Sequence, residues 1–248
     1  VISGTFNMEV LVEKPAGLLA DDRARQNLQQ AIFQAGQVPE SPLDLCQLTG
    51  AVLLNPREQH RGCLLLTIGA SMTRLEWWQH GRSLGSMVWH FGGQHLSEML
   101  AREKNISLAD AEVLKRRYLG LSGSGQPLAC RGVRTGQMSL VNWANRLASQ
   151  IQIAVGGELS SQVPLVMTGG GARMRGLDDY LAFRLRRLVH LRAPEVPGVM
   201  RNRPDLADFA ALVKSGIAKS VLNMEYSDKT RAGSRSLSGI RKVFTRFL

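Results

Sequence analysis

The sequence predicts an α/β fold built on a mixed sheet, and three observations carry that prediction. Strand-like runs follow one another at Cys63 to Ile68, Arg74 to Gln79 and Ser83 to Trp89. Gly69 to Thr73 and His80 to Arg82 separate them, a spacing that suits a meander of hairpins. Helical periodicity then takes over from Gly92 to Val155, with only a glycine-rich interruption. Finally PLVMTGGGARMRGL, Pro164 to Leu177, fuses a short apolar run, three consecutive glycines and a helix start. Gly169, Gly170 and Gly171 can take backbone conformations closed to residues with a Cβ, so this turn admits a ligand close to the main chain.

Taken in order, Asn7 to Val12 alternates weakly like a strand, and Asp21 to Ala35 reads as a helix. That helix has acids in its first turn, Leu28, Ala31, Ile32 and Ala35 on one face, and Gly36 as its stop. Pro39 and Pro42 lead to an apolar helix around Leu43 to Leu54. After the three strands, Gly92 and Gly93 open a helix through Leu96, Met99 and Leu100. Ser107 caps the next one, to Tyr118, with Asp110 in place for a capping box. GLSGSGQP, Gly120 to Pro127, reads as a surface loop, because no Lys-Ser/Thr pair follows as a phosphate-binding P-loop needs. Met138 to Val155 is helical, and Val163 to Met167 is a strand before the glycine turn. The helix after that turn carries Leu177, Tyr180, Leu181, Leu185 and Leu188 at helical spacing, and its first amides are expected to face an anion or a flat ring. A strand near Val189 to Leu191 and a helix from Leu206 to Asn223 complete the body.

Composition narrows the function classes. The chain has 248 residues, 44% of them hydrophobic, and a net charge of +11. No apolar run reaches the roughly 18 residues that cross a bilayer, and VISGTFN lacks the pattern of a signal peptide. Cys46, Cys63 and Cys130 form no CxxC pair, which supports neither a disulfide framework nor a zinc site and suits a reducing cytoplasm. His90 and His95 have no carboxylate at ligand spacing, so no metal site is expected. Charge is uneven: Asp228 to Leu248 holds six basic residues and one acid. A basic tail attracts nucleic acid, an anionic membrane or an acidic partner.

Strands, helices, strand, helix, strand and helix is the order of a ribonuclease-H-like mixed sheet, the core repeated twice in actin-like ATPases. GCLLLTIGASMTRLEWWQHG (62 to 81), HFGGQHLSEMLA (90 to 101), DAEVLKRRYLG (110 to 120) and PLVMTGGGARMRGLDDYL (164 to 181) together resemble FtsA, the actin-like bacterial division protein, in order and nearly in spacing. The resemblance implies an actin-like second half, with residues 61–91 and 157–224 as its core and 92–156 as a smaller inserted subdomain. Residues 1–60 would be a remnant of the first half, most of which is missing, and 225–248 a linker and amphipathic membrane helix. It also implies ATP as cofactor, with Gly69 and Ser71 at the phosphates, Glu112 and Lys115 on the nucleoside, and Gly169, Gly170, Gly171 and Ala172 as the adenosine turn.

Departures from the family pattern fall on one segment. Its hairpin Asp corresponds to Thr67, two glycines to Ala70 and Ser71, its Thr to Met72 and a following Asp to Arg74. The groups that position magnesium and the phosphates are thus replaced, so no catalytic residue is assigned and ATP hydrolysis is expected to be weak or absent. Arg74 is read as a surface arginine at a strand start, with the alternative that its charge substitutes for the metal.

At the carboxyl end, Leu237, Ile240, Val243, Phe244, Phe247 and Leu248 fall on one helical face, while Arg241, Lys242 and Arg246 share the rest with no acid among them. That is the pattern of an interfacial helix, and the polar Tyr226 to Ser236 suits a tether. A last core helix would lack the linker, and nucleic acid gives no reason for six apolar residues on one face. The expected function is a cell-division scaffold at the cytoplasmic face of the inner membrane. Its partners would be the tail of the tubulin-like protein FtsZ, for which Arg131 and Arg134 are candidate contacts, anionic lipid, and further copies of itself, with no nucleic acid. The short subdomain also resembles PilM, the actin-like scaffold of type IV pilus machinery, over ISLADAEVLKRR and the glycine turn. An actin-fold phosphotransferase is the enzymatic alternative.

Overall fold

In a computed structural model of the protein, residues 22–35, 45–122, 137–156, 163–195 and 203–214 are described. The chain divides into Val1–Ala211 and Leu212–Leu248, and the sheet and cleft belong to the first. Three helices, α1 (Asp22–Gln34), α2 (Leu45–Leu53) and α3 (Pro56–Arg61), precede strands β1 (Cys63–Ile68), β2 (Thr73–Gln79) and β3 (Arg82–Trp89). Then come α4 (Gly93–Lys104), α5 (Leu108–Tyr118), α6 (Gln137–Val155), β4 (Leu165–Thr168), α7 (Leu177–Leu185) and β5 (Val189–Leu191), and a last helix, α8, whose described residues are 207–214.

The strands form one sheet in the order β3-β2-β1-β4-β5. The first three are antiparallel as hairpin spacing dictates, whereas β4 and β5 join in parallel through helical crossovers. The sheet is therefore mixed, as expected. All six residues of β1 are buried, because helices cover both of its faces. Leu64, Leu66 and Ile68 point to the larger core with Leu96, Leu100, Trp143 and Leu147 of α4 and α6. Cys63 and Leu65 point the other way, onto Leu53, Leu54, Trp78, Val166 and Ala207. On that second face α2 lies close: a Cβ at Gly50 would fall 1.9 Å from the Trp78 ring.

Several expectations shift. Of the residues expected on one face of the first helix, Ala31 is exposed, and Ala35 falls just past the end of α1 and is exposed as well. Ser107 caps α5 as expected, but Asp110 takes the Ser107 hydroxyl (2.6 Å), so only the serine half of the box is formed. The helix after the glycine turn stops at Leu185 because Arg186 adopts a left-handed conformation (φ 49°), which leaves Leu188 69% exposed instead of in the core. Asn7 to Val12, Arg131, Arg134 and everything from residue 215 onward, including the amphipathic tail, lie outside the described residues.

Candidate functional site: a glycine-lined cleft

β1 runs out at Ile68 into a tight turn in which the Gly69 amide donates to the Met72 carbonyl (2.8 Å). The start of α4 sits on this turn. Its Gly93 and Gln94 amides donate to the Gly69 and Ala70 carbonyls (2.9 and 2.8 Å), so the turn satisfies two of the helix's open N–H groups. A third is held by His95, whose Nδ1 accepts from the Gly92 amide (3.1 Å).

α5 presents Glu112, Lys115 and Arg116 within one turn of one another. The Lys115 ammonium donates to the Gly93 carbonyl (2.9 Å), Ser97 Oγ (2.8 Å) and Glu112 Oε2 (2.5 Å). Glu112 also accepts from Ser97 Oγ (2.5 Å) and Arg116 Nε (2.7 Å). Burial pushes the Glu112 carboxyl up, but the hydrogen bonds from Lys115, Ser97 and Arg116 outweigh it and bring the carboxyl down to about 2.

Opposite stands the glycine turn. Gly169 takes φ 93°, and a Cβ there would lie 2.4 Å from the Ile68 carbonyl oxygen. A Cβ at Gly171 would meet Ile68 Cγ2 at 2.4 Å, so the turn is pressed against the end of β1 in a way only glycine permits. The Pro204 carbonyl fastens it from outside, accepting from the Gly169 amide and the Thr168 hydroxyl (both 3.1 Å). A 3-10 turn, Gly171–Arg173, follows before α7 begins. α7 itself does not reach the cleft as expected: a Cβ at its N-cap Gly176 would lie 1.9 Å from the Leu121 carbonyl, and Leu121 donates to the Arg175 carbonyl (2.8 Å). The 3-10 turn takes its place.

Between these walls lies a cleft of about 900 Å³. Of the residues expected there, Gly69, Glu112, Lys115, Gly170 and Gly171 line it. Ser71 is exposed beside the turn, while Gly169 and Ala172 are buried beneath the lining. Sequence reasoning missed Ser97, Arg173, Arg203 and Asp205, all part of the lining. Arg173 and Arg203 both pair with Asp205 (3.3 and 2.7 Å), and the Arg203 hydrogen bond holds that carboxyl below its usual range. The cleft carries Lys115, Arg116, Arg173, Arg175 and Arg203 against Glu112 and Asp205, an excess that favours an anionic ligand.

At the β1–β2 turn the chemistry differs. Thr67 Oγ1 is buried with no hydrogen-bond partner among the described residues, and Met72 is 48% exposed. Arg74 is neither a surface residue nor in the cleft: it reaches the opposite face of the sheet, bonding Glu76 (2.6 Å) and Asp208 (3.3 Å). The reading of Arg74 as a stand-in for a metal is therefore corrected; its charge is spent on the fold. Both carboxylates lining the cleft are ion-paired, and the described residues hold no group of three His, Cys, Asp or Glu suited to a metal. This donor set does not suit a divalent cation held by the protein.

No protein-family model matches the sequence, and no curated protein matches it. Solved structures do. The chain is similar to the PilM–PilN type IV pilus biogenesis complex (TM-score 0.60, 21% identity, 78% of this chain and 58% of that one). It is similar to MreB 5 of Spiroplasma citri bound to AMPPNP (TM-score 0.62, 16% identity, 85% and 68%). It is also similar to the ethanolamine utilization protein EutJ from Carboxydothermus hydrogenoformans (TM-score 0.54, 16% identity, 73% and 58%). The fold is that of the actin-like ATPases. The chain spans somewhat more than half the length of the PilM and EutJ chains it matches. Within the actin-like fold, the turn after β1, the α5 face and the glycine turn line one cleft. Among the described residues no helix is long and apolar enough to cross a membrane.

Proposed function

We propose that this protein is an actin-like scaffold of FtsA type, which binds an adenine nucleotide without turning it over efficiently and ties a cytoplasmic filament to the membrane. One observation carries the reading. A cationic cleft keeps a braced Glu112–Lys115 pair opposite a glycine turn, while the adjoining phosphate turn offers Thr67, Ala70 and Met72 in place of acid, glycine and hydroxyl. Such a site can hold a nucleotide but has lost the groups that position a metal and a water for hydrolysis. The AMPPNP bound to the similar MreB 5 structure supports a nucleotide as ligand.

Membrane attachment follows from the tail sequence. Three or four basic residues near an anionic leaflet contribute about 1 kcal/mol each, and the apolar face adds to that. A single tail binds reversibly, and several held along a filament bind tightly through avidity. The scaffold sits at the cytoplasmic face of the inner membrane, with the FtsZ tail and other copies of itself as partners. Deleting residues 237–248, or Phe244→Glu, is expected to abolish sedimentation with anionic liposomes; unchanged sedimentation overturns the anchor.

The PilM-type reading has its own support, namely the likeness to the PilM–PilN complex and a stretch from 92 to 156 whose described elements are three helices. Titration of an FtsZ C-terminal peptide separates the two: binding supports the division role, and its absence favours a pilus-type partner. Sustained phosphate release would instead favour a phosphotransferase.

A further inference from the structure

The corner where α3 meets the β2–β3 hairpin collects cations that the fold does not neutralise. α3 exposes Arg57, His60 and Arg61, at i, i+3 and i+4, while Glu58 and Gln59 turn inward and are half-buried. The hairpin adds His80 and Arg82, both exposed. Its two-residue turn has φ 54° at His80 and 78° at Gly81, and it is tied to α3 where the His80 and Gly81 amides donate to the His60 and Gln59 carbonyls (3.3 and 2.9 Å). The His60 ring lies against this turn, 3.4 Å from where a Cβ at Gly81 would stand. Helix and hairpin thus hold their basic residues on one corner.

Counter-charge is missing there. Between Pro56 and Arg61 and between Gln79 and Arg82 the one acid is Glu58, and its carboxylate is spent on Arg192 and on the Asn55 amide. None of Arg57, Arg61 and Arg82 has an acidic partner among the described residues. Arg57 even stands in the first turn of α3, where a cation opposes the helix dipole. Like charges gathered in this way repel one another, so the corner costs the fold stability until an anion covers it. We infer that this corner is a second membrane contact, on the folded body, which takes the phosphate headgroups of an anionic leaflet. A peptide partner would need an apolar anchor, and no large exposed apolar side chain lies on α3 or in the hairpin turn; the nearest in sequence, Leu84, is only 38% exposed. A layer of headgroup charge needs no anchor. Charge without inserted apolar groups gives a contact that salt weakens, so the corner adds to the tail and does not replace it. The inference rests on the membrane reading above and extends it to the folded body.

Co-sedimentation of the full chain with vesicles of phosphatidylglycerol and phosphatidylcholine in equal parts tests it, with pure phosphatidylcholine as the uncharged control. Wild type is expected to bind the mixed vesicles, and less tightly as salt is added. The triple variant Arg57→Gln, Arg61→Gln, Arg82→Gln is expected to bind them at least about tenfold less tightly, since each basic residue at an anionic surface is worth about fivefold. Arg57→Lys, Arg61→Lys, Arg82→Lys is expected to keep wild-type binding, because the surface is read as charge. Arg82→Gln alone, a milder change should the triple variant not fold, is expected to lose about fivefold. At low salt the glutamine triple variant is expected to melt no lower than wild type, and a lower melting temperature would make the arginines part of the fold and overturn the contact. A triple variant that binds like wild type, where the chain lacking residues 237–248 does not bind, overturns the corner and leaves the tail anchor standing. One that keeps its vesicle affinity but forms smaller assemblies makes the corner a contact between copies of the chain and overturns it equally. A wild type that binds neither vesicle overturns the membrane reading and the corner together.

Discussion

Glu112 and Glu76 are both glutamates beside a cation, yet the two faces of the sheet use them in opposite ways. On the cleft side, Glu112 stays partly exposed, and three donors drive its carboxyl down to about 2. On the far side, Glu76 is fully buried with Arg74 and the Trp78 indole (2.6 and 3.0 Å), and burial pushes its carboxyl up to about 7 even though those partners pull it back. Burial alone would depress Arg74, but the charges of Glu76, Cys46 and Asp208 raise it instead. The difference teaches which charges are free for function. A pair that keeps contact with water can exchange a partner for a ligand, whereas a pair sealed between sheet and helix can only hold the two together.

The sharpest way to break the comparison is Arg74→Met. Arg74 joins β2 to α8 through Asp208, which also accepts from the Thr49 hydroxyl of α2 (2.8 Å). Removing the guanidinium leaves Glu76 buried without its counter-charge, a change that costs about 3 to 5 kcal/mol. Chemical denaturation is expected to show that loss. A cost below about 1 kcal/mol would mean that Glu76 is already neutral and the two faces are not different in kind.

A smaller effect separates the carboxylates by the sign of their pH response. Glu76 has a folded pKa above its ordinary 4.5, so its contribution is complete below about 4.5 and is lost as pH rises through about 7. Glu112 has a folded pKa below 4.5, so its contribution is present above about 4.5 and is lost as pH falls toward about 2. Melting temperatures of Glu76→Gln and Glu112→Gln against wild type are expected to diverge in opposite directions: the first difference changes between pH 4.5 and 7, the second between pH 4.5 and 2. Parallel curves would show that both residues sit in one electrostatic environment.

Much of this was legible in the sequence, and what was not has a physical reason. The described strands were placed to within two residues, because alternation and turn residues are local signals. Glu112 and Lys115 were singled out only by the FtsA resemblance, whereas the glycine turn is legible from its three consecutive glycines after a short apolar run. The end of α7 was misjudged because apolar periodicity continues to Leu188, while the left-handed conformation at Arg186 stops the helix sooner. Arg74 was misread because, although Glu76 is only two residues away, its second partner Asp208 lies 134 residues further on, and no local pattern announces that pair. Ser97 was invisible for the same reason: it looks like any small polar residue in a helix until α5 folds back and places Glu112 and Lys115 on its hydroxyl.

Thr67 gives the smallest effect and the finest test of where one face ends and the other begins. It lies on β1 opposite Arg74 of β2, at the position where the family resemblance puts an aspartate, and its hydroxyl is buried without a partner among the described residues. An unpaired buried hydroxyl costs about 1 to 3 kcal/mol, and valine matches threonine in shape while removing it. Thr67→Val is therefore expected to stabilise the fold by about 1 kcal/mol in denaturant titrations. Because Thr67 is not among the residues lining the cleft, ATP affinity is expected to stay unchanged. If valine instead weakened ATP binding while stabilising the apo protein, the hydroxyl would be waiting for the ligand. Thr67 would then belong to the cleft, and the phosphate turn would have replaced its carboxylate with a neutral contact rather than given the position up to packing.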